Sequence, residues 1–517
     1  MQQIFKTIAA VGVGAAFAFG AHAREVSVVI DAAKAGPVIN KNVYGQFAEH
    51  LGTGIYGGLW VGPESAIPNT RGWRNDVLGA LKALHVPLVR WPGGCFADEY
   101  HWKDGIGPRA SRAVGVNTSW GGVAESNAVG THEFFDLVEQ LGADAYVNGN
   151  LGSGSVREMA EWMEYMTSDS QSTLAKLRRK NGHAAPFKVA YFAVGNEAWG
   201  CGGKMTPEYY ANLYKQTVTF LKAPKDFRPK FIASGGNDEN TVWSEVLSKE
   251  LRNMTDAISF HYYTIPTGQW KVKGAATGFD EQQWISTLSN TLRMETLINN
   301  NVAQLDKNDP DKKLGLYVDE WGTWYDVEKS SNPSFLYQQN TLRDALVAAL
   351  NFNVFHAHAD RVRMTNIAQM VNVLQAMVLT DKDKMVLTPT YYAFQMYVPF
   401  QDATSLPVAL KDDVPYTLGG TTIPGVSASA ARGTDGKLYL ALVNTNPGKA
   451  ADVALSVAGQ KVGRVTGQVL TAAAMDAHNT FDAKAVVKPA PFSAKAVDGK
   501  LHISVPAKAV IVVAVES

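Results

Sequence analysis

Two short β-prone runs in this chain each stop on a glutamate. Residues 189–194 break at Gly195, and Asn196 and Glu197 follow at once within YFAVGNEAWGCGG (191–203). The stretch LGLYVDEW (314–321) repeats the design and ends its strand on Glu320. A carboxylate at the end of a buried strand, with an amide beside it, is where a (β/α)8 barrel carries its chemistry. Two such carboxylates suit glycoside hydrolysis, one as general acid/base and the other as nucleophile. That reading requires a barrel that brings distant strand ends to one face.

The order of elements predicts one. Residues 42–47 read as the first barrel strand, with Glu49 and His50 at its end. The apolar run 87–91 stops at Pro92-Gly93-Gly94, and 145–147 stops at Asn148-Gly149-Asn150. Residues 230–234 precede Gly235-Gly236-Asn237, 257–261 precede Tyr262 and Tyr263, and 361–367 form the eighth strand. Helical periodicity lies between them at 74–84, 131–141 (with Thr131 as cap), 156–166, 207–221, 281–305, 338–351 and 390–398. Residues 168–186 are polar and read as a loop or insertion. About eight strand–helix units predict an α/β fold, a (β/α)8 TIM barrel over residues 41–401. A doubly wound sheet competes, but no GxGxxG or P-loop follows the early strands.

From residue 402 the pattern changes. Short β runs at 438–443, 453–457, 465–470, 501–505 and 510–515 are separated by Gly, Asn, Pro and Asp. They predict a C-terminal all-β sandwich, jelly-roll-like, over residues 402–517. The early run 25–30, within residues 24–40, falls outside the barrel count and is expected to join that sandwich. The sandwich shows no evident aromatic platform, so it reads as a brace for the barrel rather than a sugar-binding module.

At 517 residues the chain exceeds one ordinary domain, which fits a barrel plus a second unit. Lys+Arg and Asp+Glu are both 48, and no basic tract stands out, so nucleic acid is not an expected partner. Residues 1–23 read as a secretory signal peptide: Lys6, an apolar core over 8–19, then Ala21-His22-Ala23. This predicts export, to the periplasm or beyond, with a mature chain from Arg24. The run is too short for a stable membrane span, and no membrane partner is expected. The two cysteines, Cys95 and Cys201, cannot make a disulfide framework, and no CxxC or His cluster offers a metal site. Both follow barrel strands, so they could pair in one disulfide or stay two buried thiols.

The strand ends collect Glu49, Arg90, Asn148, Asn150, Asn196, Glu197, Asn237, His261, Tyr263, Glu320 and Gln369. Each alone has a plain alternative. A strand-end carboxylate is more often a solvated charge or a helix cap, Arg90 could be a structural ion pair, and His261 a core histidine packed on Tyr263. In a barrel these ends converge, and their concentration points to one pocket. The acid must hold its proton near neutral pH while the nucleophile is ionised. Asn196 suits a hydrogen bond to a sugar 2-OH, and Arg90 suits a charge-assisted bond to Glu320. His261 and Tyr263 lie one strand period apart and can face the same way.

The segments YGQFAEHLG (44–52), VRWPGGCFADEYHWKDGIGPR (89–109), VGNEAWGCGG (194–203), ISFHYY (258–263), DEWGTWY (319–325) and NIAQMVNVLQ (366–375) together resemble the α-L-arabinofuranosidases of glycoside hydrolase family 51, in clan A of the barrel glycosidases. They occur in that family's order and cover nearly all of the barrel, and HNTFDAKAVVKP (478–489) extends the likeness into the sandwich. The resemblance implies a retaining, exo-acting enzyme that removes terminal α-L-arabinofuranosyl residues from arabinose-containing oligo- or polysaccharides, with no metal or organic cofactor. It implies Glu197 as acid/base and Glu320 as nucleophile. Glu49, Arg90, Asn196, Tyr263 and Gln369 would surround the arabinofuranose, with His261 supporting the nucleophile and Trp120 and Trp324 at the pocket edge. Cys95 stands where some members carry an asparagine that bonds the sugar, and a cysteine bonds it less well. With Cys201 it could supply a local constraint instead. Homo-oligomers are common in the family. An endo-glucanase or xylanase on the same scaffold is the alternative. A non-catalytic sugar-binding protein is a third reading, disfavoured by the presence of both glutamates.

Overall fold

Leu88–Trp91, Val189–Val194 and Gly315–Thr323 are buried almost throughout, without in-out alternation. That is the signature of parallel strands covered on both faces. In the computed structural model, which describes residues 25–497 and 500–516, they belong to a closed eight-stranded barrel. Its strands in chain order are Gly45–Phe47, Leu88–Trp91, Asp144–Gly149, Val189–Val194, Lys230–Ala233, Ala257–Thr264, Gly315–Thr323 and Val362–Ile367. The last closes onto the first through Asn366 opposite Gly45 and Ile367 opposite Gln46. The proposed signal sequence at residues 1–23 lies outside the described residues.

The barrel interior changes character along its axis. Leu88, Tyr146, Tyr191, Ala193, Ile232, Ala257, Tyr317 and Met364 form an apolar plug at the N-terminal end of the strands. One strand period further, where the same face recurs, the residues are Arg90, Asn148 and Asp319. The plug thus becomes the floor of a polar layer.

Several elements differ from the sequence reading. The first strand is only Gly45–Phe47, because Lys41–Tyr44 is a 3-10 turn capped by the Asn40 side chain. The polar stretch 168–186 contains a helix, Thr173–Lys180, whose cap Ser172 accepts from the Ala175 N–H. Its apolar stripe is only Leu174, Ala175 and Leu177 among four basic residues, so the stretch reads as polar. Thr131 is the first helical residue rather than the cap of Thr131–Leu141. Gly130 takes the cap position, its N–H donating to Glu133 Oε2 at 3.0 Å. Only glycine fits there, since a Cβ would lie 1.8 Å from the Gly105 carbonyl oxygen. Helix Val242–Leu251 and the hairpin Val378–Asp381 with Lys384–Leu387 were not anticipated.

The helix expected at 338–351 runs Leu342–Ala357 and is capped by Thr341. It is buried on nearly every face because it is wedged between barrel and sandwich. His356 bridges the two, its ring nitrogens 2.7 Å from Tyr44 Oη and 2.7 Å from Ser429 Oγ. Burial pulls this imidazole down to about 3, so it stays neutral in the joint.

The C-terminal unit packs two sheets over a Val/Leu/Ile core. One sheet has the order Thr404–Leu406, Val426–Arg432, Leu438–Asn444, Ala509–Glu516, Arg464–Leu470, Ala490–Lys495. In the other, Val26–Ile30 lies between Val408–Lys411 and Ala451–Val457, antiparallel to the first and parallel to the second.

Candidate active site

At the C-terminal end of the barrel the strand-end residues enclose a cavity of about 520 Å³. Its walls include Glu49, Leu51, Gly94, Cys95, Trp120, Glu197, Trp199, Asn237, Asp238, His261, Tyr262, Tyr263, Trp270, Glu320, Trp324, Leu336, Gln369 and Leu374. The loops after every barrel strand except Asp144–Gly149 contribute to it. Arg90 and Asn196 lie just beneath, both buried.

Arg90 organises the floor. Its planar fork reaches two partners at once, donating from Nη1 to Glu320 Oε1 at 2.8 Å and from Nη2 to Asn196 Oδ1 at 2.7 Å. Nη1 also reaches the Asp319 carbonyl oxygen at 3.1 Å. The guanidinium packs over the Phe47 ring, 4.3 Å from its centroid. Burial would weaken its charge, but the carboxylates of Asp319 and Glu320 hold its pKa above the ordinary arginine value.

Glu320 receives a second donor, the Tyr263 hydroxyl, at 2.8 Å on Oε2. Gly94 leaves room for it, since a Cβ there would sit 2.6 Å from Glu320 Oε1. Glu49 lies alongside. Its Oε1 accepts from the N–H groups of Gly94 at 2.9 Å and Phe96 at 3.0 Å, and its Oε2 accepts from Gln369 Nε2 at 3.0 Å. Burial first, and then the charge of Glu320, push the Glu49 carboxyl up to about 7.

His261 was expected beside Glu320. The structure places it between Glu197 and Asp319, with Nδ1 at 2.9 Å from Glu197 Oε1 and Nε2 at 2.9 Å from Asp319 Oδ1, while Glu320 Oε2 is 3.6 Å away. Burial would lower its pKa, but the surrounding Glu320 and Asp319 carboxylates raise it to about 10, so both nitrogens donate. Burial would also raise Asp319. Arg90 and His261, with the Tyr146 hydroxyl at 2.6 Å, outweigh it and hold Asp319 below the usual range. For Glu197 burial wins: its carboxyl lies above the ordinary glutamate value despite the bond from His261. One oxygen each of Glu197 and Glu320 and a His261 nitrogen all lie within 4.8 Å of one another.

Cys95 and Cys201 are joined by a disulfide, with Cα atoms 5.5 Å apart. The bond spans the pocket rim, and Cys201 Sγ lies 3.5 Å from Glu197 Oε2. Trp324 packs edge-on against Tyr263 at 5.0 Å and against the exposed Trp270 at 4.7 Å. Trp120 flanks the same apolar wall with Leu51, Leu336 and Leu374.

Sequence reasoning passed over Asp319, Asp98, Tyr146 and Trp270. Asp319 and Glu320 both serve the site because strand pairing slips on each side of them, between Ser259 and His261 and between Val318 and Trp321. Such irregularities re-aim side chains at strand ends and leave no mark in the residue pattern. The acidic pair in CFADEY (95–100) was the available signal for Asp98.

Residues 80–283 match the family described as the alpha-L-arabinofuranosidase 1 domain, and residues 319–509 the alpha-L-arabinofuranosidase C-terminal domain. The chain is 47 % identical over 489 residues to an intracellular exo-alpha-L-arabinofuranosidase from Bacteroides ovatus, covering 94 % of this chain and 95 % of that one. Among solved structures, the GH51 arabinofuranosidase of Xanthomonas axonopodis pv. citri is 51 % identical with a TM-score of 0.94, covering 96 % of this chain and all 100 % of its own. The alpha-L-arabinofuranosidase of Thermotoga maritima, in an arabinose complex, is 30 % identical with a TM-score of 0.83, covering 95 % and 100 %. One expectation is corrected here. Export to the periplasm or beyond is overturned by the Bacteroides ovatus relative, which is named an intracellular enzyme. A lysine followed by a short apolar run is a compositional signal, and it is outweighed by likeness along nearly the whole chain.

Proposed function

Because this chain belongs to the α-L-arabinofuranosidases of glycoside hydrolase family 51, we propose that its Glu197–Glu320 pair hydrolyses terminal α-L-arabinofuranosyl residues by double displacement. The observation that carries the reading is the closeness of the two carboxyl groups, with one oxygen of each within 4.8 Å. Retaining glycosidases hold theirs about 5–5.5 Å apart, and inverting ones leave room for a water between them.

Each step uses a group already in position. Protonated His261 donates to Glu197 Oε1, so the acidic proton belongs on Oε2, the oxygen nearer the disulfide at the pocket rim. Glu197 gives that proton to the departing glycosidic oxygen while Glu320 attacks the anomeric carbon, forming a covalent arabinosyl-enzyme. Water then enters, Glu197 takes its proton, and the C–O bond to Glu320 breaks to release L-arabinose with its configuration kept. The Asn196 amide oxygen is occupied by Arg90, which leaves its NH2 for a sugar hydroxyl. Glu49 and Gln369 offer further polar contacts to the ring, and Trp120 and Trp324 border the entrance. Walls on nearly every side support exo action on a chain end, whereas an endo-glucanase or xylanase requires a cleft open at both ends. Homo-oligomeric assembly is part of the same reading, supported by the family resemblance, and light scattering decides it.

The test is proton NMR of the sugar first released from an α-L-arabinofuranoside. The α-anomer is expected before mutarotation; β-anomer as the first product overturns the double displacement.

A further inference from the structure

Glu197 sits in a backbone conformation that non-glycine residues rarely adopt. Its φ is +41°, and it follows Gly195 at φ +80°. Such geometry costs on the order of 1–3 kcal/mol and persists only where the surroundings over-determine it. What over-determines it is a buried carboxylate in a neighbouring loop. Asp98 accepts from the Asn196 N–H on Oδ2 at 2.9 Å, and from the Leu151 and Gly152 N–H groups on Oδ1, each at 2.8 Å. It is 5 % exposed and does not itself line the cavity. Gly202 closes the turn against the same group: a Cβ there would lie 1.9 Å from the Asn196 carbonyl oxygen and 2.9 Å from Asp98 Oδ2. The loop that carries Asp98 also carries Cys95, and the turn that carries Glu197 also carries Cys201, so the disulfide joins the same two segments.

We propose that Asp98 is a positioning residue for the acid/base: by holding the Asn196 N–H it fixes the left-handed turn that aims Glu197, and the Cys95–Cys201 bond is a second tie on that turn. The proposal rests on the assignment of Glu197 as acid/base. The nucleophile has no part in it, because Glu320 is aimed by its own strand. Loosening the turn therefore impairs proton donation more than nucleophilic attack, since the Asn196 side chain keeps its separate tie to Arg90.

Asp98→Asn isolates the tie. Two N–H groups face Oδ1 and one faces Oδ2, so the amide keeps its oxygen toward Leu151 and Gly152 and turns its NH2 against Asn196. The full-length enzyme is assayed with an aryl arabinofuranoside bearing a nitrophenolate leaving group and with an arabinoxylo-oligosaccharide, whose leaving alcohol needs a proton. In D98N, kcat/KM is expected to fall about ten-fold further on the oligosaccharide than on the aryl substrate, a fraction of the full acid-catalysis factor. Cys201→Ala is expected to shift the same ratio in the same direction by less. Equal losses on both substrates in a D98N protein that melts cooperatively overturn the positioning role. If D98N does not fold, C201A decides by the same ratio. Glu197→Ala is run alongside. A selective E197A with an unselective D98N sinks the positioning role alone, whereas an unselective E197A removes the acid/base assignment and this proposal with it.

Discussion

Glu320 lies within the strand Gly315–Thr323, whose backbone is paired to Ala257–Thr264 on one side and Val362–Ile367 on the other. Glu197 lies beyond the end of its strand, Val189–Val194, in a turn with positive φ. The two carboxyl groups meet across a few ångströms but are held by different means. The strand orients Glu320, and side chains then fill its lone pairs: Arg90 on one oxygen, Tyr263 on the other. No ladder orients Glu197. Its turn is fastened by Asp98, by a disulfide and by glycines packed against the backbone, and its carboxyl is touched by His261. A nucleophile attacks and later leaves along one line, staying a carboxylate when free, which rigid pairing serves. An acid/base must give a proton in one step and take one in the next, which suits a carboxyl whose charge is set by burial and a single donor.

The predictions test that division. The largest effect is expected at the strand. Glu320→Ala removes the atom that forms the covalent intermediate, and kcat should drop by about four orders of magnitude or more on every substrate. An E320A enzyme that keeps wild-type turnover of an aryl arabinofuranoside ends the comparison. At the turn the loss should depend on the leaving group. Glu197→Ala is expected to cost about 10²–10⁴ on oligosaccharides and far less on activated aryl substrates. The ratio of the two, measured by initial rates, is the discriminating quantity.

Arg90→Gln tests the floor shared by both limbs. Removing one partner of a buried ion pair leaves a carboxylate uncompensated, which typically costs about 3–5 kcal/mol. A urea titration should show the loss, and a midpoint within error of the wild type would mean that water, not Arg90, compensates Glu320. The smallest effect is a displacement in pH. At neutral pH His261 carries a charge and stabilises the ionised form of Glu197. In His261→Asn that stabilisation is gone, so the Glu197 pKa rises further and its proton persists to higher pH. The basic limb of kcat/KM should therefore move up by about one unit, the equivalent of one hydrogen bond to a charged group. A limb that stays or moves down would show that His261 acts on another residue.

The barrel was readable because its strands break on Gly, Pro and Asn and end on polar residues. A triplet such as GNE or DEW is conspicuous directly after an apolar run such as YFAV or LGLYV. The helix Thr173–Lys180 was not readable, since the short apolar face of Leu174, Ala175 and Leu177 is set among four basic residues and its start is fixed by a serine cap. At the site, Glu49, Arg90, Asn196, Glu197, His261, Tyr263, Glu320 and Gln369 all sit where strand-end reasoning puts them. His261 lies 3.6 Å from Glu320, the expected partner, and its shorter contacts to Glu197 and Asp319 were not foreseen, because a slip in strand pairing brings Glu320 to the face that Asp319 already occupies and register is invisible in one sequence. Asp98 escaped for a different reason. Its role is to accept backbone N–H groups from segments about 50 and 100 positions away, and nothing in its own neighbours encodes those partners.

The strand Val26–Ile30 has a consequence for how the molecule is made. It leaves the ribosome before any of the barrel, yet its neighbours in the sheet, Val408–Lys411 and Ala451–Val457, are translated only after the whole barrel has emerged. Throughout synthesis an apolar ribbon waits unpaired while the barrel forms behind it, and chain from beyond the barrel must return to pair with it. Trimming the first strand therefore strips a lane from the four-stranded sheet and leaves Ala451–Val457 an open edge able to recruit another nascent chain, while the final strand, Ala509–Glu516, belongs to the other sheet.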